Sequence, residues 1–464
     1  MGACISTKGS SCGLACVAAL VGMISASAAS AQDAGGGPPP PSIHCDQGSP
    51  QIKPLFLAAT DSFENNVDCL AWQDFIYLMW PADAAQRGVP DPTRTLGASG
   101  PTVWETYRTI DTVFLPGGRD PGPWQQPLTA RQLTMTSKIA PAVLTNIARS
   151  AAASRAAFPP AILNAIKQAG GGTLYDLNGQ PVYYEVAIDE PEYDYIRKNG
   201  LYDSYKQATF ALTNVIALPS GQDGVLQRAT GAVEIKAAWK VLSGNDNADR
   251  FHTVQAQVGD SKAPVTVGLV GFHMFVLGGV RGSSQGAWAT FAQVDNAPLK
   301  GGPIKPPYNF FNPNCKEPGK PSPCPVNVKD ANPGQVMQIT ADASPADKLN
   351  LYMQFILNQS DPKSPWQYYK LIDVQWPKRP INISKSPPPL STPLPDGTPN
   401  VPLRGKDMLN PVLETFVQLP KAPPGVGCLT CHRYASTSAM GPHLPPRATS
   451  YSFIFEHATS LAAR

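Results

Sequence analysis

The 464-residue sequence is poor in charge: Asp, Glu, Lys and Arg make up 15% of it, and the formal net charge is +3. It has no dense Lys/Arg run, so the electrostatic footprint of a nucleic-acid partner is missing. Beyond the first thirty residues no stretch holds about eighteen uncharged apolar residues, and the mature chain is expected to have no transmembrane segment. No Ser–His–Asp arrangement, phosphate-binding loop, zinc-binding helix motif, signalling domain or internal repeat is visible, which removes several common chemistries at once. Proline, in contrast, is abundant: 50 residues, roughly twice the usual share. That many fixed φ angles and missing N–H donors favour long ordered loops over continuous helix.

Residues 1–31 have the form of a signal peptide. Lys8 gives a weakly positive start, an apolar stretch runs from residue 14 to 24, and Ala29-Ser30-Ala31 fits a small-residue cleavage site before Gln32. The apolar stretch is too short to span a bilayer. Residues 13–15 lack the leucine that a lipoprotein signal places three residues before Cys16. The expected location is therefore periplasmic, or otherwise exported, and soluble. Residues 32–60, which carry "GGGPPPP" at 35–41, read as a tether and entry segment. Residues 61–375 form the main α+β body with a β-rich core at about 180–300, residues 376–404 a Pro-rich strap, and residues 405–464 a C-terminal segment.

Export shapes the cysteine arithmetic. Of nine cysteines, Cys4, Cys12 and Cys16 leave with the signal, and Cys428 and Cys431 share a motif. Cys45, Cys69, Cys315 and Cys324 remain, an even set in an oxidising compartment. Nearest-neighbour pairing gives Cys45–Cys69 and Cys315–Cys324, each worth about 2–4 kcal/mol. Sequence alone permits three pairings.

The apolar spacing of Trp72, Phe75, Ile76 and Met79 predicts a helix stopped by Pro81. Short helices are expected at residues 141–149 and 159–169. Another should start at Ser344, an N-cap with Pro345 at N1 and Asp347 at N3, burying Leu349, Tyr352, Met353 and Ile356. Between about 180 and 300 the period is two. Val233, Ile235, Ala237, Trp239 and Val241 alternate with Glu234, Lys236 and Lys240, a half-buried strand with a polar face. Residues 265–277 form a second strand, whose alternation places His273 with Val267, Leu269, Gly271 and Phe275. Residues 209–218, 251–258 and 288–294 read as further strands. The fold class is α+β: an antiparallel sheet or sandwich in the middle, with flanking helices. After the strap, residues 409–418 form a short amphipathic segment, and "SYSFIFEHA" reads as a terminal helix.

That amphipathic segment leads into Cys428-Leu429-Thr430-Cys431-His432. A c-type haem is attached through two thioethers from cysteines at this spacing, and the following histidine reaches the iron. Composition alone expects roughly 0.002 such matches in a chain of this length, so chance is a weak rival. A thioredoxin-like site would need a strand-to-helix turn that the Pro/Gly surroundings do not offer. A zinc site would need four well-separated ligands. The motif therefore predicts one covalently bound haem c on Cys428 and Cys431, with His432 as the proximal iron ligand.

Only residues 433–464 follow His432. That tail is too short for the usual arrangement in which a distal methionine follows several dozen residues after the motif, so the preceding body is expected to cover the haem. The iron's other side has five readings: Met440, His443, His457, His273 as ligand or distal-pocket residue, or an open position. Among the first four, His273 is the leading distant candidate, because an imidazole in an apolar setting needs a hydrogen-bond partner or a metal.

Several blocks resemble a family of exported bacterial "cytochrome c family" proteins that carry a single C-terminal haem motif. They are "DFIYLMWPADAAQRGVPD" (74–91), "TVWETYRTIDTVFLP" (102–116), "EPEYDYIRKNGLYD" (190–203), "VEIKAAWKVL" (233–242), "VGLVGFHMF" (267–275), "WATFAQVDNAP" (288–298) and "NPVLETFVQ" before "CLTCH". They span nearly the whole mature chain, so the resemblance implies one architecture rather than an appended haem tail. It supports Cys428, Cys431 and His432 as the attachment site and draws attention to His273. Members of the family tend to carry an acidic residue before the "SFIF"-like terminal segment, where Ser450 and Tyr451 stand here.

Three functions follow. The first is one-electron transfer by an exported mono-haem cytochrome working with a redox partner protein. The second is a periplasmic haem enzyme, peroxidase- or oxidoreductase-like, with a pocket in the β-rich body. Tyr183, Tyr184, Trp239, Glu185, Glu190 and Glu192 are candidates there, although such residues are equally ordinary core and surface. The third is a haem-based sensor or binding protein.

Overall fold

The computed structural model describes residues 51–54, 63–125, 132–133, 173–219, 231–258, 263–277, 286–315, 335–339, 344–377, 402–403, 408–415, 427–432, 435–437 and 447–461. The expected helices at 141–149 and 159–169, and Cys45, Cys324, Met440 and His443, lie outside these residues. None of the described helices is long and apolar enough to cross a membrane.

The elements follow in chain order as α1 (Phe63–Leu78), β1 (Arg108–Thr109), α2 (Ile110–Val113), β2 (Gln132–Leu133), β3 (Tyr183–Ile188), α3 (Glu190–Lys198) and α4 (Ser204–Thr213). They continue with β4 (Val233–Val241), β5 (Thr253–Val258), β6 (Val265–Val276), β7 (Ala287–Gln293), α5 (Ser344–Ser360), β8 (Tyr369–Pro377), β9 (Pro402–Leu403) and α6 (Cys428–His432). The sheet order is β1-β3-β4-β6-β7-β8-β9, antiparallel throughout, which establishes the α+β class with a β-rich middle. The long β6 shares one edge between β5, along residues 265–268, and β7, along residues 271–276. The short β2 lies parallel to β5.

One face of this sheet carries helices. Phe75 of α1 stacks on Phe291 at 4.2 Å between ring centroids, and Trp72 meets Phe291 edge-on at 5.1 Å. Phe272 completes the cluster, 5.8 Å from Phe75. These rings are fully buried and form the apolar core that drives folding. In α5, Leu349, Met353 and Leu357 are buried at helical spacing while Tyr352 and Ile356 are half-buried, and the helix begins at Ser344 as expected.

Three expectations need correction. Residues 204–213 are helix, whereas strand was expected from 209. Asp203 caps α4, its carboxylate accepting from Tyr205 N at 2.9 Å and Lys206 N at 3.0 Å, and Gln207, Ala208 and Ala211 face inward. The β-branched and aromatic residues that suggested a strand sit in its last turn and the extended chain beyond. The terminal helix is a single 3₁₀ turn, Ile454–His457, preceded by Ser450 at φ 50° and Tyr451 at φ 69°, left-handed conformations that no α-helix accommodates.

The third correction concerns β6. Ala238 pairs with Gly271, but Trp239 pairs with Leu269, so Val270 is an extra residue and the alternation changes phase there. Gly271, His273 and Phe275 therefore share a face with Ala238, Lys236 and Glu234. Leu269 and Val267 point to the opposite face with Trp239 and Val241. His273 is not on an apolar stripe.

Cys69 and Cys315 are each disulfide-bonded, to partners outside the described residues.

Candidate haem-binding site

The polar face of β4 is not a solvent face. Lys240 is buried between Asp176 (3.1 Å) and Asp246 (2.6 Å), and Glu234 accepts a hydrogen bond from Ser452 Oγ. Asn410, Leu429 and Ser452 each hydrogen-bond to a strand of the sheet, on β7, β8 and β4 respectively.

Asn410 fixes residues 408–415. Its amide donates to Thr290 Oγ1 and Phe291 O, both at 2.9 Å, while its carbonyl oxygen accepts from Val412 N at 3.0 Å. Tyr184 Oη donates to Val412 O at 2.9 Å from the neighbouring strand β3. Where the amphipathic segment 409–418 was expected, residues 408–410 are irregular chain and 411–415 a run of turns, with Met408, Leu409, Val412 and Leu413 buried; residues 416–418 lie outside the described residues. Glu414 folds back so that Oε2 accepts from Asn410 N at 2.8 Å and stands 3.4 Å from His273 Nε2. At 3.4 Å the second contact is longer than a well-formed hydrogen bond.

The haem motif lies alongside. In α6, Leu429 N donates to the side chain of Gln375 on β8, seating the short helix on the sheet. His432 is tilted 5.8 Å from Trp288, with Phe453 edge-on at 5.1 Å. Trp288 stacks in turn on Phe275 at 4.4 Å. His432 Nδ1 lies 2.8 Å from the carbonyl oxygen of Tyr451. A carbonyl only accepts, so Nδ1 carries the proton and Nε2 presents a lone pair. This is the usual way in which a protein orients a metal-ligating histidine. Burial above all pulls His432 down to about 4; the Tyr451 carbonyl opposes, Lys236 and His273 lower it further, and Glu414 raises it. The ring is therefore neutral at pH 7, the ligating form. Cys428 is half-buried and not disulfide-bonded, as thioether formation requires. The donor set of Cys428 and His432 thus fits a c-type haem, and Cys431 lies in the same helical turn.

Lys236, His273 and Glu414, the three side chains that shift His432, were not read from the sequence as a group. Lys236 and His273 are register partners on adjacent strands, and Lys236 also lies 5.9 Å from the ring of Tyr184. Burial pushes Glu414 up, but His273 and Lys236 together bring it below the usual carboxylate value, so it is ionised. The signal in the sequence was a histidine within an otherwise apolar strand, next to a lysine on the polar face of β4.

The other candidates are dispersed. Tyr183 pairs with Trp239 on the helix-covered side, where Trp239 stacks on Trp104 at 5.9 Å. Glu190 lies in the first turn of α3 with Glu192, which is fully buried, and Glu185 is buried within β3. Of this set only Tyr184 borders the haem-motif side. His457 is half-buried in the 3₁₀ turn, where burial lowers it.

No protein-family model, no curated protein and no solved structure matches the chain.

Proposed function

We propose that the chain is an exported mono-haem c-type cytochrome, carrying one electron at a time for a redox partner protein. Cys428 and Cys431 would hold one haem c by thioether bonds, and His432 Nε2 would be its proximal ligand. The bound haem supplies the one-electron couple. The residues around it set orientation and solvent access: Tyr451 O fixes the His432 tautomer, Trp288 and Phe453 restrict the ring, and Gln375 holds the start of α6. The observation that carries this reading is the Nδ1–carbonyl contact, because it leaves Nε2 as the ligating atom of a motif whose spacing already matches haem attachment.

The test is covalent attachment. Acid-acetone-extracted protein from a host with a c-type maturation system should retain its haem and give a c-type pyridine haemochrome. The Cys428→Ser/Cys431→Ser double variant should lose it. A double variant with a full haem complement would remove the basis of the proposal.

A second reading, a haem enzyme or ligand-binding protein, is favoured by one observation: Lys236, His273 and Glu414 lie next to one another and are only half-buried on an otherwise covered sheet face.

A further inference from the structure

Asp176 sits in the turn between Leu174 and Val182, which are buried and joined by a hydrogen bond from Val182 N to Leu174 O at 2.8 Å. The Asn178-Gly179 tip, with Gly179 at φ 74°, lets the chain double back over the aspartate. Two backbone N–H groups, of Asn178 at 2.9 Å and Gln180 at 2.8 Å, then donate to Asp176 Oδ1. Oδ2 accepts no hydrogen bond, although Lys240 Nζ stands 3.1 Å away. The lysine directs its hydrogen bond to Asp246 Oδ1 instead, at 2.6 Å. Asp246 is fixed through Oδ2, which accepts from Ser243 N at 2.7 Å and Ser243 Oγ at 2.9 Å. Burial pushes Asp246 up, but the hydrogen bonds from Lys240 and Ser243 bring it below its usual value, so it is ionised. Asp176 has no exposed surface and Lys240 is 1% exposed.

Buried ions are costly, and an ion pair that only neutralises charge satisfies its oxygens with directed hydrogen bonds. This one leaves Oδ2 without any. What the four side chains and the turn assemble is an acyl-transfer site. Lys240 Nζ is a nucleophile in contact with a carboxyl group. The two N–H groups on Oδ1 are placed to stabilise negative charge that develops there. Asp246 is a base within hydrogen-bond reach of Nζ. Burial holds the reacting groups together and keeps water from hydrolysing a product.

We propose that Lys240 and Asp176 condense to an intramolecular isopeptide bond, with Asp246 as the base. Lys240 gives one proton to Asp176 Oδ2, leaving an amine and a carboxylic acid. Nζ attacks Cγ, and negative charge passes to Oδ1. Asp246 takes a second proton from Nζ and returns it to the departing Oδ2 hydroxyl, which leaves as water. The Nζ–Cγ bond forms, the Cγ–Oδ2 bond breaks, and no oxidant or reductant takes part. One neutral amide replaces two buried charges, and it ties the 175–181 turn covalently to β4. The bond is independent of the haem reading.

Peptide mass spectrometry is the test. The full mature chain, reduced and digested with trypsin, should yield a peptide left uncut after Lys240 and joined to the one that holds Asp176. The joined pair should be lighter than its two parts by one water, about 18 Da. Asp176→Asn should close by losing ammonia and give a joined pair of the same mass as the wild type, because the amide formed is identical. Lys240→Arg should give separate peptides. Asp246→Asn, sampled at the same time after expression, should be at least about tenfold less crosslinked. The two asparagine variants are close in shape to the native residues and keep the comparison informative where Lys240→Arg fails to fold. Separate peptides in the wild type would overturn the proposal whatever the variants do. A link from Lys240 to Asp246 in place of Asp176, or an Asp246→Asn variant as fully linked as the wild type, would overturn the roles assigned here.

Discussion

A methyl group at Gly271 would lie 2.5 Å from Cγ2 of Val412 and 3.3 Å from Cδ1 of Leu413. The close seating of residues 408–415, and with it the position of Glu414, therefore depends on a missing side chain. Gly271→Val should cost about 1–3 kcal/mol by overpacking and lower the haem-to-protein ratio, while Gly244→Ala, with nothing within 4 Å, should change stability by less than about 0.5 kcal/mol. Urea midpoints and haemochrome yields check both; equal tolerance of the two substitutions would mean that the segment does not rely on this approach. At this scale the Cys428–His432 spacing stands out because it is the one that the proposed covalent haem attachment would require. Lys236 and Glu414 do not stand out, because alternation marks a polar residue as outward-facing and says nothing of what lies outside. Tyr451 was illegible for a different reason: a bulky side chain at φ 69° is a conformation its residue type gives no cause to expect.

Among the elements, β4 runs from Val233 to Val241, the span its alternation predicted, and β5 and β7 fall within two residues of theirs. Regular period-two burial made them visible. The phase of β6 was hidden by its bulge at Val270, and β8 was missed because a second irregularity interrupts its pattern. Thr290 pairs with Asp373 but Phe291 with Leu371, leaving Ile372 as an extra residue. Asn350 of α5 serves the strand at that point. Its Oδ1 accepts from Leu371 N and Trp72 Nε1, both at 2.9 Å, and its Nδ2 donates to Leu371 O at 2.8 Å. One side chain thus joins α1, α5 and β8, and its removal strands three buried polar groups. Asn350→Leu, similar in size, should therefore cost about 2–5 kcal/mol despite its greater hydrophobicity. Chemical denaturation measures this directly. A variant as stable as the wild type would show that the helix layer does not depend on the bridge.

At the scale of the molecule, a buried acidic group links regions far apart in the chain. Asp189 caps α3, accepting from Glu192 N at 3.2 Å; Glu192 is fully buried; and Glu234 on β4 receives the hydroxyl of Ser452 from the C-terminal segment. Neither carboxylate oxygen of Glu192 has a hydrogen-bond partner among the described residues. Burial raises Asp189 to about 8 and lifts Glu192 well above the usual range, with Glu234 and Asp189 adding to the shift of Glu192. In the folded chain these groups hold protons that the unfolded chain gives up near pH 4. Their contribution to stability is complete below that pH and is lost as pH rises through the folded values, by about 1.4 kcal/mol per pH unit for each group in the window. The thermal midpoint should therefore fall between pH 7 and 9. Glu192→Gln, which keeps the shape and removes the titration, should flatten that fall and be more stable than the wild type at pH 9, with little difference at pH 5. Calorimetric scans of both proteins at the three pH values decide the matter: a wild-type midpoint that does not fall above pH 7, or a variant weakened equally at every pH, would mean that Glu192 is not held protonated in the fold.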